Sequence, residues 1–217
     1  MNLGKAFTYM FKDPDWGVKM IIFSLFLLLL PTLIGVPFVV GYVVLAVKAT
    51  AEGKDTLPKW TGNWGNIFTA GLKYTVIMIL WSVLGQVLLF VPFLGDVLNS
   101  LWFWVTLVVS PVLLIKTAIS KEFTEIFDLD WYLDFIQKNL VNIILVVILN
   151  SVLVAIAGLG ILACFVGIFF TVFYSSMGTA YLTGELYRVG SGKGTAKPSS
   201  KFGAHRVTED LSTQIES

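Results

Sequence analysis

Residues 139–184 read NLVNIILVVILNSVLVAIAGLGILACFVGIFFTVFYSSMGTAYLTG, without one aspartate, glutamate, lysine or arginine. As a single helix this stretch would be about 70 Å long, over twice the ~30 Å hydrocarbon thickness of a bilayer. It must therefore turn back, and Gly158-Leu159-Gly160 supplies the natural turn. Three further uncharged stretches, residues 20–47, 74–95 and 97–115, are each long enough to cross a membrane. Asp96, in Pro92-Phe93-Leu94-Gly95-Asp96, separates the last two and marks the turn of another hairpin.

The stretch 20–47 is harder to divide. One helix of that length would be about 42 Å, long for a tilted span and short for two full ones. Charge parity favours two. Lys5, Lys12 and Lys19 precede the stretch and Lys48, Lys54 and Lys59 follow it, so an even number of passes keeps both groups on one side. Pro31, Gly35 and Pro37 interrupt regular helix between the two short passes. Folded this way, all fifteen lysines and arginines fall on one side, as the preference of basic loops for the cytoplasm demands.

The expected fold is thus an all-α integral membrane protein with about six transmembrane helices arranged as three hairpins. The hairpins cover about residues 18–50, 72–117 and 139–184. A polytopic domain takes in residues 1–188, and residues 189–217, rich in Gly, Ser, Lys and Thr, form a disordered cytoplasmic tail. Both termini are expected in the cytoplasm and the chain in the cell membrane. Composition agrees: 56% of the residues are apolar, 13% are charged and the mean hydropathy is +0.82, more than a soluble core of 217 residues can bury. The stretch beginning at Met20 reads as retained rather than as a signal peptide, because nineteen residues including Asp13 and Asp15 precede it.

Each hairpin is expected to be introduced by a short amphipathic segment lying at the bilayer surface, so that the unit repeats three times. In the first, Leu3, Ala6, Phe7, Met10 and Phe11 follow helical spacing; in the second, Trp60, Trp64, Ile67 and Phe68 do so ahead of Gly71 and Lys73. The third, residues 121–138, carries Phe123, Ile126, Phe127 and Trp131 on one face. Trp16, Trp60, Trp64 and Trp131 are candidate interfacial anchors, since an amphipathic ring suits the headgroup region. Stacking on a base or sugar would need polar readers that do not accompany them.

Asp13-Pro14-Asp15-Trp16 and Asp128-Leu129-Asp130-Trp131 repeat one tetrad at the approach to a hairpin. Aspartate before proline is the expected start of a helix, with a second carboxylate where the helix dipole favours it. The rival reading is a divalent-cation site joining the two tetrads; oxygen ligands suit it, but neither tetrad has the glycine and spacing of a calcium loop.

Other chemistry finds little support in the residues. Gly190-Ser191-Gly192-Lys193-Gly194-Thr195 lacks the first glycine and the Ser or Thr of a phosphate loop. His205, the only histidine, lies in the polar tail, and Cys164 has no mate, so neither a nucleophilic triad nor a multi-cysteine metal site can be assembled within the spans. No catalytic residue, cofactor or metal is expected, and the net charge of +1 argues against nucleic acid. Gln86 and Asn150 are candidate intramembrane polar contacts, either hydrogen-bonding between helices or lining a solute path. Small residues at Gly160, Ala163, Cys164, Gly167, Thr171, Ser175 and Gly178 would let another helix approach closely.

The order Lys12-Asp13-Pro14-Asp15-Trp16, Gly41-Tyr42, Leu57-Pro58-Lys59-Trp60 with Trp64, Phe68 and Gly71, then Gly184-Glu185-Leu186-Tyr187-Arg188 resembles a family of small multi-span membrane proteins of bacteria and archaea. That family is grouped as a domain of unknown function. The resemblance runs from about Phe7 to Arg188 and implies a polytopic membrane domain with no activity to carry over. A noncatalytic scaffold or accessory subunit is the expected role, partnered by the bilayer and by a membrane protein or a second copy. A small-solute or ion permease is the alternative, and an enzyme acting on lipids through Asp13 and Asp128 a third.

Overall fold

Uncharged stretches bounded by lysines fold into six α-helices in the computed structural model, which describes residues 3–160 and 164–192. They are α1 (Trp16–Leu28), α2 (Gly35–Ala51), α3 (Trp64–Leu88), α4 (Gly95–Ile119), α5 (Leu129–Leu159) and α6 (Cys164–Gly190). No strand occurs among the described residues. Three helices, α3, α4 and α5, are long and apolar enough to cross a membrane. By contrast α1, with 13 residues, and α2, with 17, are about 20 and 25 Å long at 1.5 Å per residue.

The turns follow the proline signals with one refinement. Leu30–Thr32 forms a 3-10 turn, after which Leu33 takes a left-handed conformation (φ 63°) and Gly35 opens α2. The second hairpin repeats this, with Phe93 at φ 63° two residues before Gly95. A left-handed backbone is unfavourable for leucine or phenylalanine, so both turns depend on their surroundings. At the third hairpin Gly158 stays helical and α5 ends at Leu159, within the expected Gly158-Leu159-Gly160 turn. Residues 161–163, and the tail from 193 onward with His205, lie outside the described residues.

The centre of the bundle is α2, which packs against α1, α3, α4 and α6. Two glycine crossings make this possible. A Cβ on Gly41 would fall 1.8 Å from the Ile67 carbonyl oxygen, and one on Gly71 would fall 1.7 Å from that of Pro37. The two backbones therefore meet with no side chain between them. On the opposite side Gly184 of α6 meets Val47 and Thr50 in the same way. Buried Phe23, Tyr42, Phe173 and Met177 complete the core.

The approaches to the hairpins differ from the surface helices expected. The first is two 3-10 turns, Leu3–Phe7 and Met10–Lys12; Ala6 and Met10 within them and Tyr9 between them are buried against the bundle. Tyr174 of α6 donates its hydroxyl to the Phe7 carbonyl at 3.1 Å, holding this segment down. The second continues without a break into α3 from Trp64. The third is a 3-10 turn, Thr124–Phe127, followed by the first ten residues of α5. There α5 bends at Asn139 (φ −123°, ψ 15°), the residue where the uncharged stretch begins. The Asn139 side chain donates to the Phe135 carbonyl at 3.0 Å, taking an acceptor from the helical ladder.

Candidate functional site

Polar chemistry is concentrated where the chain enters α1, α3 and α5 and leaves α2, α4 and α6, and two aspartate–lysine nodes organise that end. The first grows from Asp13. Its Oδ1 accepts the Asp15 amide at 3.0 Å, a turn ahead of α1, which begins at Trp16 with Asp15 and not the expected Asp13 in the N-cap position. Its Oδ2 accepts from Lys19 Nζ at 2.6 Å and from the Leu57 amide at 3.0 Å, and Lys19 also donates to the Leu57 carbonyl at 3.1 Å. The aspartate and lysine side chains are 3% and 10% exposed, so the pair is buried and every strong acceptor is occupied. A buried ion pair contributes little net stability, but stranding one partner is costly, which makes this node a lock between the N-terminal segment and the α2–α3 loop.

Aromatic packing extends the lock. Tyr42 donates to the Pro58 carbonyl at 3.1 Å, and its ring stacks on Trp60 with centroids 4.3 Å apart and planes within 4°. Phe26 covers Trp60 from α1, with centroids 5.5 Å apart. Trp60 is 2% exposed, and its indole N–H finds no partner among the described residues. Of the four candidate anchors, then, Trp60 is packed inside the bundle. Trp64 is 42% exposed, and Trp16 and Trp131 are half-buried. Trp16 meets Phe11 and Phe170 edge-on.

The second node uses the same tetrad differently. Asp128 caps α5, accepting the Trp131 amide at 3.2 Å through Oδ1, while Oδ2 accepts from Lys116 Nζ at 3.1 Å. Lys116 is buried and sits 4.6 Å from the centroid of the Trp131 ring. Hydrogen bonding to Lys116, then to the Trp131 amide, holds the Asp128 carboxyl below its ordinary 3.8. The first carboxylate of each tetrad, Asp13 or Asp128, is thus taken by its own lysine. No group of three or more metal-ligating side chains occurs among the described residues.

The two intramembrane candidates are placed apart. Asn150 of α5 accepts a hydrogen bond from Thr179 of α6 and lines a cavity of about 360 Å³ with Ser110, Pro111, Ser151 and Thr183. Thr183 Oγ1 is buried there without a partner among the described residues. Gln86 is exposed, in an apolar groove that Val36 and Val40 of α2 form with α3. Of the small-residue stripe on α6, Ala163 and the Cys164 side chain lie outside the described residues. Thr171 bonds the Ala157 carbonyl of α5 at 3.1 Å, and Gly178 meets Leu153, so the described part of the stripe faces α5.

Sequence reasoning missed Lys19, Lys116 and Leu57 as members of these nodes. The spacing of six between Asp13 and Lys19 was a readable signal; the contacts to Leu57 and Lys116 are tertiary.

An all-helical bundle with three helices long and apolar enough to cross a membrane and no metal-ligating cluster among its described residues defines the class. The chain belongs to the family described as "Protein of unknown function (DUF4013)", which matches residues 24–166. The Asp13 tetrad and Gly184–Arg188 lie outside that match. No curated protein and no solved structure matches the chain.

Proposed function

We propose that the protein is a noncatalytic scaffold or accessory subunit of the cell membrane, spanning it as three hairpins with both termini in the cytoplasm. One observation carries the topology. Every described lysine and arginine lies before or within the first ten residues of an odd-numbered helix, or in the last turn of or after an even-numbered one, whereas Asp96 stands alone at the opposite turns. The first hairpin is short for a ~30 Å core, and α2 is shielded from lipid by its neighbours, which lessens the cost of mismatch. The scaffold role is supported by the way the ionisable groups are used. Asp13, Asp128 and Glu185 pair with Lys19, Lys116 and Arg188 to stiffen the charged end.

Single cysteines test the topology in a background with Cys164 replaced. Ile34→Cys, Asp96→Cys and Leu159→Cys, all at exposed positions, label from outside, and Asp55→Cys labels from inside. An Ile34→Cys protein that resists outside labelling removes the first hairpin. For the role, purification from native membranes in mild detergent recovers a stoichiometric membrane-protein partner; a clean homo-oligomer refutes the accessory reading.

A permease is the second reading, favoured by the cavity at Asn150 with its hydroxyl lining. Solute flux into liposomes that is unchanged by Asn150→Leu removes it.

A further inference from the structure

Eleven lysines and arginines lie among the described residues, and seven of them stand within 4.0 Å of a carboxylate. The other four, Lys48, Lys59, Lys73 and Lys121, all line one cleft of about 910 Å³ between α2, α3 and the loops that follow α2 and α4. We propose that this cleft binds a phosphate-bearing anion through those four ammonium groups.

The preference of basic residues for the cytoplasmic side explains why lysines occur at this end. It does not explain why those without a carboxylate partner among the described residues converge on one concavity. Glu52 is the single acidic residue in the lining, and Lys54 occupies it at 2.6 Å. Four like charges around one cleft repel, and a dianion among them converts that repulsion into charge-assisted hydrogen bonds. Lys73 is already oriented, since its Nζ donates to the Lys121 carbonyl at 2.8 Å and is held against the wall. Neutral donors accompany the charges: Asn63 and Asn66, at the start of the 25-residue α3, also line the cleft. The positive end of that helix dipole adds to the field of the lysines. The volume lies within the range of small-ligand sites. The inference is independent of the scaffold reading and survives its failure.

The phosphate can come from a lipid headgroup or from solution, and one experiment separates the sources. The full chain in a mild neutral detergent is titrated at low ionic strength with dihexanoyl phosphatidic acid, dihexanoyl phosphatidylcholine and inorganic phosphate, reading the Tm. Phosphatidic acid raises the Tm and phosphatidylcholine does not. Inorganic phosphate acting at similar concentration assigns a soluble ligand; phosphatidic acid acting alone assigns a headgroup. The triple variant Lys48→Gln, Lys59→Gln, Lys121→Gln weakens the response at least about tenfold. A second triple variant, Lys5→Gln, Lys12→Gln, Lys138→Gln, removes the same charge outside the cleft and keeps the response. The proposal is overturned if no phosphate probe shifts the Tm, if the cleft variant responds like the parent, or if the two triple variants lose the response equally.

Discussion

One tetrad occurs at two helix approaches, and the two copies are built to different depths. Asp13 is 3% exposed in its side chain and gathers three donors from two segments; Asp128 is 49% exposed and serves α5 and one lysine of α4. Local chemistry already differs: Asp128 is the N-cap of α5 and accepts the Trp131 amide three residues on, whereas Asp13 stands ahead of the N-cap of α1, Asp15, and accepts that residue's amide. The tertiary partner differs as well. Leu57, 44 residues along the chain, brings its amide to Asp13 and its carbonyl to Lys19, and no comparable loop closes over Asp128. The energetic weight of the motif therefore lies in what is folded over it.

The sharpest way to break this comparison is to delete each carboxylate. Asp13→Ala strands the buried Lys19 and costs about 3–5 kcal/mol, measured by denaturation in micelles, and Asp128→Ala costs distinctly less. Equal losses would mean that depth does not matter. Replacing both partners, Asp13→Leu with Lys19→Met, recovers more than half of the loss because no buried charge remains unpaired. The tryptophans beside the nodes extend the contrast. Trp60→Ala opens a core cavity and costs about 3–4 kcal/mol, whereas Trp131→Ala removes a half-buried ring and a cation–π contact and costs about 1–2 kcal/mol.

Acid sharpens the comparison from the other side. Because the folded Asp128 carboxyl titrates below its ordinary 3.8, its contribution is fully present above that pH and is lost as the pH falls through the lowered value. The Tm of the parent therefore drops more than that of Asp128→Asn over this acid range, and parallel curves would refute the pairing with Lys116. The smallest effect is expected at the exposed pair Lys138–Asp134, where Lys138→Ala costs about 0.3–0.5 kcal/mol in the same denaturation assay.

Much of the helical plan was legible before any coordinates. The longest uncharged stretches break into more than one helix, and Pro31, Pro92 and Asp96 mark where two of the turns form. Even the bend of α5 falls at Asn139, where polarity changes, because the amide that ends the charged segment also competes for a helical carbonyl. The burial of Trp60 was not legible. Its spacing with Trp64 and Phe68 describes a helical stripe, but a stripe says nothing about whether lipid or protein covers it, and Tyr42 and Phe26 do so here. Nor does periodicity distinguish an α-helix from the 3-10 turns of residues 3–12, where Ala6 and Met10 face inward but Phe11, on the same expected stripe, is exposed. The nodes themselves were half legible: the cap of Asp128 follows from its position, while the capture of Lys116 depends on how α4 and α5 lie together.

Where Gly41 meets Gly71, backbone lies directly on backbone. The lysine-lined cleft lies on one side of that point, with Val44 and Lys48 facing Asn66 and Thr69. The groove of Val36, Val40, Thr75 and Met78 lies on the other. The crossing is placed as a fulcrum is placed under a beam, with one opening on either side of it.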